Sequence, residues 1–191
     1  MSDASPAPEA HAGAAAETPA AELLDILVAP HPVLKQKARV VRPEDAQALR
    51  ALLPRMFATM YHAPGIGLAA PQIGIGLRAA VVDVADEGER HPLVLINPEV
   101  IEHSDSLAAR EEGCLSLPNQ YAEVVRPEKV RVRFQDIEGR TTELEADGLL
   151  ATCLQHEIDH LDGILFVDHL STLKRNMVMR RLAKDRKTGR G

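Results

Sequence analysis

The chain has 191 residues, a formal net charge of −6 and 45% hydrophobic residues, which predicts one water-soluble domain with a real core. No apolar run approaches the roughly 20 residues needed to cross a bilayer. Two cysteines, Cys114 and Cys153, are too few for a disulfide scaffold, so the expectation is a cytoplasmic protein with free thiols.

The opening stretch, MSDASPAPEAHAGAAAETPAAE, has no Lys or Arg and no unbroken apolar core. It resembles neither a secretory signal nor an Arg-rich transit peptide. Its Ala, Pro and Glu content predicts a disordered tail over residues 1–22, followed by a single domain over residues 23–173. Residues 23–34 are apolar with Pro30 and Pro32, which suits an extended segment. PEDAQALRALLPRMFATMYHA then places Leu49, Leu52, Leu53, Met56, Phe57 and Met60 at helical spacing. Pro43 and Glu44 suit its first turn. Pro54 lacks an N–H and crowds the Arg50 carbonyl, so a kink or restart is expected there.

Apolar strands are expected at residues 77–84 and 93–96, and further strands at 121–125, 130–134 and 141–145. Alternation is clearest in KVRVRFQ, where Val130, Val132 and Phe134 share a face. GLLATCLQHEIDHL has the period of an amphipathic helix, and a second helix follows His169. Strands in a run with helices at the ends predict an α+β class rather than βαβ units. From Lys174 to Gly191 there are eight Lys and Arg and one Asp, a net +7 that leaves −13 on residues 1–173. Such a basic C-terminal helix on an acidic body points to a polyanionic partner, with a solvated helix surface as the alternative.

Chemistry concentrates in Gln155-His156-Glu157-Ile158-Asp159-His160. On a helix, His156 and His160 lie one turn apart on one face, so two imidazoles can hold one cation beside Glu157. The helix is otherwise apolar, so these imidazoles face inward and need partners. A catalytic site requires a third protein ligand and an open position. The extended pattern H-E-x-x-H-x-x-G-x-x-H ends here on Phe166, which cannot ligate, and no Glu follows Glu157. Asp162 and Asp168 are downstream alternatives without a matching pattern. Cys114, in EEGCLSLP, is the best upstream candidate; its thiolate would suit Zn or Fe(II). His31, His62, His91, His103 and His169 have no ligand-like spacing. GIGLAAPQIGIG follows a helix rather than a strand, which argues against a dinucleotide site. It reads as a glycine loop that lets backbone approach a ligand, with Gln72 beside it.

Together GIGLAAPQ, EGCLS and QHEIDH resemble the three signature motifs of the peptide deformylase family, in order and spacing, over residues 27–181. The resemblance implies antiparallel β-sheets around a central helix bearing the two histidines, with a C-terminal helix. It implies Cys114, His156 and His160 as ligands of Fe(II), with Zn or Ni able to substitute, and Glu157 as acid/base. It also implies Gln72 in the oxyanion site, joined there by the backbone N–H of Leu115, and N-formyl-methionyl nascent peptides as substrates. Backbone at Ile66, Gly67 and Gly113 is expected to hold the peptide as an added strand. Ile66, Tyr121, Leu149 and Cys153 are expected to line the methionine pocket. Tyr121 stands where many relatives have Arg, and the tail and Pro54 are not family features. The basic C-terminal segment resembles the helix by which bacterial deformylases dock on the ribosome; no membrane or DNA partner is implied. Competing readings are a metalloprotease, a non-catalytic ribosome-associated protein with a structural metal, and an amidase for another formylated molecule.

Overall fold

A computed structural model describes residues 22–85 and 88–189. The tail expected over residues 1–22 therefore lies, but for Glu22, outside the described residues. Helix α1, Ala46–His62, buries Leu49, Leu53, Met56 and Met60 along one face. It runs unbroken through Pro54, so the helix does not restart there. Pro54 is exposed, so the Arg50 carbonyl that it cannot bond is left on the wet side of the helix.

Seven strands follow among the described residues: β1 Gly67–Ala69, β2 Ala79–Val82, β3 Leu93–His103, β4 Leu107–Cys114, β5 Leu117–Pro127, β6 Lys129–Gln135 and β7 Thr141–Asp147. Five form an antiparallel sheet in the order β1-β2-β3-β6-β7, and β4 and β5 form a separate hairpin. Helix α2, Gly148–Leu161, carries the histidine motif, and α3, Thr172–Lys187, closes the chain. Strand β3 extends well past residue 96, and β4 is an element the sequence pattern does not announce.

The apolar side chains sort the elements. Leu68, Ala79, Val81 and Ile96 on one sheet face pack against α1. Val82, Leu95, Val132 and Phe134 on the other pack against Ala151, Leu154 and Ile158 of α2. Val178 and Leu182 of α3 join Leu34, Leu117, Val124 and Phe166 in a third cluster. The fold is α+β with antiparallel sheets around α2, as the sequence predicts. Because Val178 and Leu182 are buried, α3 belongs to the packed body while its basic residues face outward. Among the described residues no helix is long and apolar enough to cross a membrane.

Leu154 is fully buried between α2 and the sheet, whereas Leu173 is 72% exposed. Leu154→Ala is expected to lower unfolding stability by about 2–5 kcal/mol in a urea titration. Leu173→Ala is expected to change it by less than about 0.5 kcal/mol. Equal effects would show that α2 does not carry the core.

Candidate metal centre

The buried face of α2 brings the two histidine rings to a centroid separation of 4.9 Å. Cys114, the last residue of β4, places its Sγ 3.2 Å from His160 Nε2. Donor atoms of Cys114, His156 and His160 all lie within 4.8 Å of one another, the one group of this kind among the described residues. The downstream alternatives are committed elsewhere: Asp162 binds Arg78 at 2.7 Å, and Asp168 pairs with Lys35 and accepts the Leu165 N–H at 2.8 Å.

One thiolate and two imidazoles suit a borderline-soft divalent ion, and three protein donors match the open type of site that does chemistry. A second observation agrees. Among the described residues, the buried side-chain polar atoms without a hydrogen-bond partner are Glu157 Oε2 and His160 Nδ1. Such orphans are rare in a folded interior. Glu157 adjoins His156 on the donor-bearing turn, whereas His160 Nδ1 is the ring nitrogen opposite the Nε2 that faces Cys114. Burial, reinforced by the neighbouring His156, holds His160 well below the usual histidine range, so its ring is neutral. At His156, burial also works against charge, but the bonds with Cys114 and Glu112 outweigh it and raise the ring above its usual range.

Glu112 lies two residues before Cys114 on the inward face of β4, and its Oε2 is 2.9 Å from His156 Nδ1. That contact orients the ring so that Nε2 points toward the donor cluster. Arg126, on β5, grips both Glu112 oxygens at 2.6 and 3.0 Å. Burial alone would raise the Glu112 carboxyl, but His156 and Arg126 hold it down to about 2.

Glu157 is 3% exposed, and burial pushes its carboxyl up to about 7. Its Oε1 lies against Gly67, where an added Cβ would come within 2.2 Å. Glycine at 67 is therefore what lets the carboxyl reach the strand. The Ile66 carbonyl accepts the Asp83 N–H at 2.9 Å, so Ile66 faces β2. By strand alternation the N–H and C=O of Gly67 then face the free edge of the sheet. Gln72 is 2% exposed, with Oε1 accepting the Ala69 N–H at 2.8 Å. This leaves Nε2 directed at Ser116 Oγ, 3.2 Å away, and toward Cys114 Sγ at 3.6 Å.

Every site residue expected from sequence except His160 lines one cleft of about 490 Å³. Gln72, Cys114, Leu115, His156 and Glu157 lie together there, and Ile66, Gly67, Gly113, Tyr121, Leu149 and Cys153 line it with them. His160 stands behind them at 1% exposure. Tyr121 covers Gly113, where an added Cβ would meet the ring at 2.6 Å. Burial pushes the Cys153 thiol well above its ordinary range, which suits a wall residue rather than a nucleophile. A larger groove of about 1030 Å³ shares Leu149 with the cleft but holds none of the donors. The sequence pattern did not single out Glu112, Ser116 or Arg126. For Glu112 the signal was present: an acid two residues before the cysteine shares its strand face.

A family model for polypeptide deformylase matches residues 23–176. The chain is 53% identical over 160 residues to a peptide deformylase of Agrobacterium fabrum, covering 83% of this chain and 94% of that relative. It is 54% identical over 164 residues to one of Rhizobium meliloti, covering 85% and 94%. A solved peptide deformylase from Legionella pneumophila superposes with a TM-score of 0.81 at 46% identity, covering 88% of this chain and 98% of that one. With the family model matching residues 23–176 and the Agrobacterium and Rhizobium relatives more than half identical, the chain belongs to the polypeptide deformylase family.

Proposed function

We propose that this protein hydrolyses the N-terminal formyl group from formyl-methionyl ends of newly made proteins, releasing formate. The observation that carries the reading is a thiol and two imidazoles gathered beside a buried, unpartnered carboxyl, on a cleft floor next to an open strand edge. Cys114, His156 and His160 would hold the metal, iron(II) on the family resemblance, with zinc or nickel as substitutes. Bound there, it would supply a Lewis acid for the formyl oxygen and lower the pKa of a water.

Glu157 accepts the proton of the attacking water and passes it to the departing amine. Its burial beside Gly67 keeps that proton close to the scissile bond and away from bulk solvent. The Gln72 amide, locked by the Ala69 N–H, donates to the developing oxyanion together with the Leu115 backbone N–H. The outward edge of Gly67 pairs with the peptide backbone as an added strand, and Gly113 borders the same cleft. Backbone pairing would accept many nascent chains, while Ile66, Tyr121, Leu149 and Cys153 supply an apolar wall for the methionine side chain.

The test is formate release from formyl-Met-Ala-Ser by metal-loaded protein prepared without oxygen. Glu157→Gln is expected to lower kcat by roughly 10²–10⁴-fold while metal is retained. Cleavage of unformylated peptides at comparable rates would instead establish a protease, and equal turnover of formyl-Asp peptides would overturn the apolar pocket.

The basic face of α3 is proposed to dock on ribosomal RNA. Lys174, Arg180, Arg181, Lys184 and Lys187 are exposed, while Val178 and Leu182 anchor the helix. Truncation would remove that anchor, so charge reversal is the cleaner probe. Lys184→Glu with Lys187→Glu is expected to weaken ribosome binding and to flatten its salt dependence. Unchanged affinity at low and moderate salt would refute docking through α3.

A further inference from the structure

We propose that Asp159 is a positioning residue of the metal centre, acting on His156 through Arg126 and Glu112; this rests on reading Cys114, His156 and His160 as metal ligands. Asp159 lies inside the motif, yet it is not among the donors. Its Oδ2 instead accepts from Arg126 Nη1 at 2.8 Å and lies 2.7 Å from His169 Nε2. Arg126, 6% exposed, spends two further donors on Glu112, itself 5% exposed. Glu112 in turn meets His156 Nδ1 at 2.9 Å.

These contacts form a closed ring. It leaves α2 at His156, crosses to β4 at Glu112 and to β5 at Arg126, and returns to α2 at Asp159. His156 and Asp159 are three residues apart and therefore on neighbouring positions of one helical face. The hairpin that supplies Glu112 and Arg126 also supplies Cys114. The ring thus fixes how far the thiol-bearing hairpin stands from the helix that bears both imidazoles. Glu112 alone would leave the guanidinium free to swing with it as a pair. Asp159 pins a second edge of the same rigid, planar group. The buried arginine faces two carboxylates, and His169, 34% exposed, caps the second of them at the surface.

The consequence concerns the metal's hold, independently of turnover. Asp159→Asn keeps the shape but not the charge that grips Arg126. It is expected to speed release of cobalt(II) from the loaded protein to a chelator by about tenfold or more. It should also shift the visible absorption of the cobalt(II) form and lower kcat with little change in KM. Arg126→Lys, which keeps the charge but cannot span both carboxylates, is expected to do the same. In a Glu112→Gln background, adding Asp159→Asn should change the release rate less than about twofold, because the effect passes through Glu112.

A folded Asp159→Asn protein with wild-type cobalt release and spectrum overturns the proposal. So does an equal, additive effect in both backgrounds, which would assign Asp159 to the fold at large. If Asp159→Asn does not fold, Arg126→Lys decides by the same readouts. A wild-type protein that holds no metal sinks the ligand assignment itself, whereas a metal-binding wild type with an indistinguishable variant sinks this inference alone.

Discussion

Glu112 and Arg126 are each about one-twentieth exposed, and charges so deeply buried must be paired or the fold bears a penalty of several kcal/mol. Both lie in the β4–β5 hairpin, and through Glu112 to His156 and Arg126 to Asp159 the pair ties that hairpin to α2. Cys114 stands at the end of β4, and α2 carries His156, Glu157 and His160. Breaking one partner of such a pair typically costs more than the pair contributes, because the other charge is stranded. The hairpin is therefore held against the helix by a constraint that permits little drift.

Once that spacing is set, the rest of the cleft follows from close approach. α2 lies on the five-stranded sheet with Leu154 and Ile158 buried, which drives Glu157 against β1. Only a residue without a side chain tolerates the carboxyl there, and Gly67 provides it. The same glycine offers its backbone to the open edge. A buried carboxyl and an open strand edge thus meet at one position, and burial pushes that carboxyl up to about 7. The Gln72 amide is fixed from the other side by the Ala69 N–H and Ser116, which sets the direction of its N–H groups.

Much of this was legible in the residue order. The 3.6-residue period of GLLATCLQHEIDHL gave α2 and its inward histidines, and alternation in KVRVRFQ gave β6. The hairpin was harder, because its pattern is inverted: Glu112 and Arg126 point inward while Leu107, Tyr121 and Val125 are exposed. A reader expecting apolar residues inside has no reason to draw β4. Arg126 is 14 residues from Glu112 and 33 from Asp159, so no local period links the three. Gly67 was legible as a loop glycine, but its neighbour Glu157 is ninety positions away in the chain. At Pro54 the helix continues where a restart was a possible reading, because the missing hydrogen bond falls on the solvent side of α1.

On the proposed reading, a thiolate from the hairpin and two imidazoles from α2 meet on one metal ion, with a position left open for chemistry. X-ray absorption at the metal edge of the zinc-loaded protein tests it most directly. One sulfur at about 2.3 Å, two imidazole nitrogens at about 2.0–2.1 Å and a further light-atom ligand is the expected shell. A shell without sulfur, or one closed by a fourth protein side chain, would contradict it.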